Sequence, residues 1–120
     1  MALQVNHVHL KTRDPRKTAQ FYVDNFGATI VSEQGPNGYR VSLCGLMMNV
    51  TGLIETQTRE QHYGMEHLAL DTDDYLGTMA ALRANGVKIL EELVASSGRR
   101  VGFCEGPDGV QMEIIEQARR

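Results

Sequence analysis

Apolar and polar residues alternate over residues 3–11, with Val8 and Leu10 on one side and His7, His9 and Lys11 on the other. A period of two predicts a β-strand with one packed and one polar face. Asp14-Pro15 then offers a helix cap followed by a first-turn proline. Ala19, Tyr22, Val23 and Phe26 recur at i, i+3, i+4 and i+7, an apolar stripe that predicts a helix packed on a sheet and closed at Gly27. Strands are predicted at 28–33, 39–44 and 46–51, the first two joined by Gly35-Pro36-Asn37-Gly38, which is strong turn chemistry. Residues 52–63 are polar without a clear period and read as a linker.

The same programme then starts again. Glu66-His67-Leu68-Ala69-Leu70-Asp71-Thr72-Asp73-Asp74 repeats Asn6-His7-Val8-His9-Leu10-Lys11-Thr12-Arg13-Asp14 at a spacing of 60 residues. His7 lies over His67, Leu10 over Leu70, Thr12 over Thr72 and Asp14 over Asp74. Asp73 or Asp74 caps a second predicted helix running to Asn85, with Leu76, Met79, Ala80 and Leu82 apolar, and Gly86 ends it. Strands are expected at 87–90, 99–104 and 110–116, separated by Ser96-Ser97-Gly98 and by the Gly106-Pro107-Asp108-Gly109 turn. At the same spacing Val41 lies over Val101, Leu43 over Phe103 and Cys44 over Cys104; past the extra turn, Asn49 falls on Glu113.

The fold class expected is α+β: two βαβββ modules with cupped mixed sheets and helices on the outer faces. The chain is read as a single domain over 1–120, with module one at about 1–52, a linker at about 53–63 and module two at about 64–120. Each helix covers only one sheet face, so the other faces are expected to meet each other or a partner chain.

Composition narrows the function classes. The formal net charge is −3 with no basic stripe, which argues against nucleic-acid binding. No apolar run approaches the roughly 18 residues of a membrane helix. The first residues carry His7, His9, Lys11, Arg13 and Asp14 and do not read as a secretory leader. Two cysteines without a CxxC spacing fit a reducing, cytoplasmic setting, with Cys44 and Cys104 expected to be buried small apolar residues.

Repeat and strand parity together select His7, Asn49, His67 and Glu113, all predicted to sit on the face away from a helix. Two imidazoles and a carboxylate with open positions make a facial site suited to Fe(II), Mn(II), Ni(II) or Zn(II). Taken singly, each residue has a plainer reading as a structural or solvated group; their coincidence on repeated positions is what points to a metal. His9, two residues from His7, is expected to act as an acid or base beside the metal or to sit at the cavity rim. His62 is expected to be exposed in the linker, Arg99 and Arg100 to be surface charges or anion contacts, and Phe103 and Tyr39 to line the cavity. Met47 and Met48 alternate faces, so Met47 is expected at the site border or, by default, in the core, and Met48 in the core.

Asn6-His7-Val8-His9-Leu10, Phe21-Tyr22 with Phe26-Gly27, Glu66-His67-Leu68-Ala69-Leu70, and Gly106-Pro107-Asp108-Gly109 leading to Glu113 resemble the vicinal-oxygen-chelate superfamily. That group includes glyoxalases, bleomycin-resistance proteins and extradiol dioxygenases. The resemblance implies that His7, His67 and Glu113 are metal ligands for one divalent ion. It also implies a small-molecule substrate chelated through neighbouring oxygens, and a homodimer. Asn49 departs from the glutamate of glyoxalase I and the glutamine of the epimerases, which implies a three-ligand site. Lys11 stands where many bacterial glyoxalases carry an arginine for the glutathione carboxylate. The expected activity is lyase or isomerase chemistry with Glu113 and His9 as the catalytic pair. The alternatives are an Fe(II) extradiol dioxygenase, a metal-free small-molecule binding protein of the bleomycin-resistance kind, or a structural or regulatory member of the fold.

Overall fold

A computed structural model describes residues 2–118. The first repeat contains β1 (Leu3–Lys11), α1 (Pro15–Phe26), β2 (Thr29–Glu33), β3 (Gly38–Leu43) and β4 (Leu46–Thr51). The second contains β5 (Gly64–Thr72), α2 (Tyr75–Ala84), β6 (Ile89–Val94), β7 (Arg100–Glu105) and β8 (Gln111–Glu116), with a 3₁₀ turn at Pro107–Gly109 before β8. Each is βαβββ, as the pattern predicts, with the strands ordered β2-β3-β4-β1 in the first repeat and β5-β8-β7-β6 in the second, parallel and antiparallel pairs mixed in both. No helix among the described residues is long and apolar enough to cross a membrane.

The described residues resolve into two compact units, 7–66 and 67–118 together with 2–6. In the latter, the Asn6 amide donates to both Asp71 carboxylate oxygens at 3.1 Å, and the Asp73 amide donates to the Ala2 carbonyl at 3.3 Å. In the 7–66 unit, β1 and β4 run parallel with His9 paired to Asn49 and Lys11 to Thr51.

Local signals act alike in both repeats. The Asp14 carboxylate accepts the Lys17 amide at 3.1 Å, and Asp74 accepts the Gly77 amide at 3.0 Å, each satisfying a helix-start donor. Gly27, at φ 69°, ends α1 in the left-handed conformation that costs glycine least. The Thr12 and Thr18 hydroxyls meet at 2.6 Å, and those of Thr72 and Thr78 at 2.7 Å. Both β2–β3 and β6–β7 carry a register shift at the same place, between Ile30 and Ser32 and between Ile89 and Glu91.

In the 7–66 unit, Ala19, Leu10, Ala28, Val41, Met48 and Val50 form the core beneath α1, joined by Tyr22, Val23, Tyr39 and Leu43. In the other, Tyr75 and Met79 of α2 pack with Ile114, Leu70, Leu82 and Ile89. A further cluster of Ala69, Val101, Phe103 and Ile115 uses the alternate residues of β5, β7 and β8.

Several expectations need correction. Phe26 and Leu76 complete the apolar stripes in sequence but are 58% and 64% exposed, because each falls at the solvent edge of its helix. Phe26 instead touches the rings of Phe21 and Tyr22. Cys44 is exposed, forming with Gly45 the tight β3–β4 turn at φ 51°; Cys104 is buried as expected. Strand β6 spans Ile89–Val94 rather than 87–90, and the turn glycine before it, Gly86, has φ 76°. Tyr39 packs in the core under α1 and so lies on the side away from the polar face.

Candidate functional site

The pairing of each hairpin fixes which residues share a face. In the first repeat β4 sets Asn49 opposite His9 of β1 and opposite Arg40 of β3. In the second, β8 sets Glu113 opposite Ala69 of β5 and opposite Phe103 of β7. Asn49 and Glu113 therefore occupy matching places, as the repeat predicts. The counterpart of Phe103, however, is Arg40 and not Leu43. The two residues Cys44-Gly45 join β3 to β4, whereas residues 106–110 join β7 to β8, and that difference shifts the match.

His7 and His9 are buried side by side on β1 in the 7–66 unit, and His67 is buried on β5 in the other. The His7 and His9 rings meet edge to face with centroids 6.0 Å apart. His9 Nε2 lies 2.8 Å from the Thr51 hydroxyl, which itself donates to the Gly52 carbonyl at 2.9 Å. The single hydroxyl proton is thus committed, so His9 Nε2 carries the proton of this bond.

In the 67-onward unit, His67 Nε2 donates to Glu113 Oε1 at 3.1 Å. The edge of the Phe103 ring contacts His67, with centroids 5.4 Å apart. With metal–ligand bonds of about 2.1 Å, adjacent ligands of one ion stand about 3 Å apart, so these two atoms are spaced as neighbours in a coordination shell. Asn49 Oδ1 is enclosed and accepts no hydrogen bond among the described residues. Nitrogen and oxygen donors of this kind fit a borderline or hard divalent cation.

A second group of buried polar residues lies within 7–66. Lys11 is only 1% exposed, and its ammonium donates to Gln57 Oε1 at 3.3 Å and Gln61 Oε1 at 3.1 Å. Gln57 in turn donates to Glu66 at 3.4 Å, and the Arg59 guanidinium lies 3.6 Å from the same carboxylate. Burial holds the Lys11 ammonium below its ordinary value; Glu66 opposes that shift and Arg59 adds to it. The residues read as a linker thus supply partners to a buried lysine, and period-based reading misses this because the segment has no period. A half-enclosed cleft of about 410 Å³ is lined by Lys11, Thr12, Arg13, Tyr22 and Tyr63, with the Arg13 guanidinium 4.2 Å above the Tyr63 ring.

The other candidates divide. His62 is exposed, with its ring on the Met65 carbonyl at 2.9 Å. Arg100 pairs with Glu116 and lies over the Tyr75 ring, while the Arg99 side chain donates to the Ser97 hydroxyl, so both are used by their own surroundings. Met48 is in the core, and Met47 is partly buried on the opposite face. Burial pushes the Cys104 thiol up, which makes it an unreactive core residue. Arg40 drew no notice in the sequence; its signal is the alternation of Tyr39-Arg40-Val41, which sets a charge between two core residues.

Comparison with known proteins agrees with this geometry. The chain is 24% identical to glyoxalase I of Saccharomyces cerevisiae over 149 residues, covering 98% of this chain and 46% of the yeast protein, so it spans about half that relative's length. It is 26% identical to lactoylglutathione lyase of Haemophilus influenzae, covering 95% of this chain and 93% of that one. Methylmalonyl-CoA epimerase from Mycobacterium tuberculosis shares the fold with a TM-score of 0.73, at 21% identity, over 96% of this chain and 88% of that one. Residues 4–114 match a single family, and the chain belongs to the glyoxalase/bleomycin resistance protein/dioxygenase superfamily.

Proposed function

We propose that this protein is a divalent-metal-dependent enzyme acting on a small molecule bound through neighbouring oxygens, with glyoxalase-like lyase or isomerase chemistry. The spacing of His67 Nε2 and Glu113 Oε1, 3.1 Å apart as two neighbouring ligands of one ion would be, is the observation that carries this reading. His7, His67 and Glu113 are the proposed ligands of one Fe, Mn, Ni or Zn ion. His9, whose Nε2 is held by Thr51, is the neighbouring base. A bound cation supplies Lewis-acid stabilisation of negative charge developing on substrate oxygen.

The side chains do the rest. Glu113, whose Oε1 lies 3.1 Å from His67 Nε2, is the carboxylate placed to take a proton from carbon and return it. His9, anchored through Nε2 to Thr51, assists by accepting a proton from a substrate hydroxyl. Phe103, buried against His67, keeps water from that flank. The same proposal includes a homodimer and a cytoplasmic setting.

Metal analysis after dialysis tests it. Wild-type protein is expected to retain about one divalent ion per chain, as a three-ligand site requires. His7→Ala, His67→Ala and Glu113→Ala each lose most of it, while Asn49→Ala changes it little. Full metal retention by His67→Ala refutes the assignment. Formation of lactoylglutathione by the Ni- or Zn-loaded protein supports the lyase reading. Oxygen uptake with a catechol on the Fe-loaded protein moves the reading to an extradiol dioxygenase, and wild-type turnover by His9→Ala removes His9 from the mechanism.

A further inference from the structure

Within residues 7–66, His9, Asn49 and Arg40 stand in one row across β1, β4 and β3. Tyr39 and Val41 pack under α1, so Arg40 between them emerges on the opposite face, that of His9 and Asn49. Arg40 Nε and Asn49 Oδ1 are both enclosed, and neither makes a hydrogen bond to any described residue. Arg40 also has no ion-pair partner among the described residues. A donor and an acceptor on adjacent strands, both buried and both without partners, are an unusual pair in a folded protein.

Other cations of this unit are differently placed. Lys11 is bonded to Gln57 and Gln61, Arg59 faces Glu66, and Arg13 stacks on Tyr63. Arg40 is the partly buried cation left facing the row of His9. We propose that Arg40 and Asn49 form a carboxylate subsite. In it the Arg40 guanidinium takes an anionic group of the substrate side-on, through Nε and a terminal nitrogen. The Asn49 amide oxygen accepts a hydrogen bond from a hydroxyl of the same molecule.

This rests on the metal reading for the other end of the substrate. Arg40 stands two strand spacings from β1, about 10 Å, so the length of the arginine and two or three carbons span the gap. The substrate class is therefore a small hydroxy or oxo acid with a second carboxylate two or three carbons beyond its chelating oxygens.

Calorimetry on the Mn-loaded protein with two five-carbon probes, 2-hydroxyglutarate and 2-hydroxypentanoate, tests this, since they differ only in the terminal carboxylate. The diacid is expected to bind about 10- to 100-fold more tightly, the usual range for a charged hydrogen-bonded contact. Arg40→Met removes the preference while leaving 2-hydroxypentanoate affinity and metal content unchanged. Arg40→Lys, which keeps the charge but lacks Nε, recovers only a minor part of it. Equal binding of the two acids by wild type, or a preference that survives Arg40→Met, overturns the proposal. Metal-stripped protein separates the two ideas. Weaker binding of both acids with the preference intact supports the two together. Binding indifferent to metal, with the preference still lost in Arg40→Met, retains the subsite and refutes the chelation.

Discussion

The two repeats build the same row of side chains and fill it with opposite chemistry. In the first, Asn49 lies between His9 and Arg40, with Lys11 and Thr51 paired in the next row. In the second, Glu113 lies between Ala69 and Phe103, and the following row is Asp71, Ile115 and Val101. One face is polar and cationic; the other carries the Glu113 carboxylate and the His67 imidazole among buried apolar groups, with the Asp71 carboxylate in the following row. Strand pairing sets where a residue stands, and it leaves the choice of chemistry open. A duplicated frame can thus hold a recognition surface in one copy and a hydrophobic wall in the other.

Behind the rows the packing is reversed as well. Under α1 the helix offers Ala19, fully buried, and the sheet fills the space with Tyr39 and Leu43. Under α2 the helix offers Tyr75 and Met79, and the sheet withdraws to Gly102. A Cβ built on Gly102 would stand 2.6 Å from Met79 Cε and 2.9 Å from the Tyr75 hydroxyl. The two helices are docked by complementary sizes, large on the strand in one case and large on the helix in the other.

Importing one packing solution into the other repeat should break the fold most. Ala19→Met places the α2 solution under α1, where Ala19 is 0% exposed and Tyr39 is retained. It is expected to cost about 3 kcal/mol by overpacking, read as a lowered urea midpoint with an unchanged slope. A cost under about 0.5 kcal/mol, the range of surface changes, would show that the α1 interface is loosely filled.

Gly102→Ala is the smaller intrusion, since the atom it meets first is the mobile end of Met79. About 1–2 kcal/mol is expected. In the double variant Gly102→Ala/Met79→Ala the two costs should add to less than their sum, because shortening Met79 relieves the clash. Strict additivity would mean that the glycine is there for another reason.

The least effect concerns Tyr75, which has no tyrosine counterpart at Pro15 in the first repeat. Burial first, and the hydrogen bond to Glu92 second, push its phenol up to about 12. A raised acid pKa means that the folded state keeps a proton the unfolded state releases. The resulting stability is therefore fully present below pH 10 and is lost as pH rises toward 12. Melting temperatures followed from pH 9 to 12 should fall more steeply for wild type than for Tyr75→Phe. Parallel curves would place the phenol outside this linkage.

Much of this was legible in the chain itself. The spacing of histidine, threonine and aspartate, the Asp14-Pro15 helix start, a second cap at Asp73 or Asp74, and the turn glycines are local signals. Local signals act within a few residues, so they fix element type and the repeat without knowledge of the whole. Strand parity likewise placed Val8 and Leu10 opposite His7 and His9, and Met112 and Ile114 opposite Glu113. What tertiary structure alone decided is register and enclosure. Sequence similarity sets Leu43 over Phe103, yet hydrogen bonding to β4 and β8 puts Arg40 there, because the two hairpin turns differ in length. Nothing local distinguishes a lysine in solvent from Lys11, which is enclosed by glutamines some fifty residues away in the chain. Whether a polar atom is shut off from water, as Arg40 Nε and Asn49 Oδ1 are, depends on every strand and side chain packed around it. That is a property of the assembled sheet, and no stretch of sequence carries it alone.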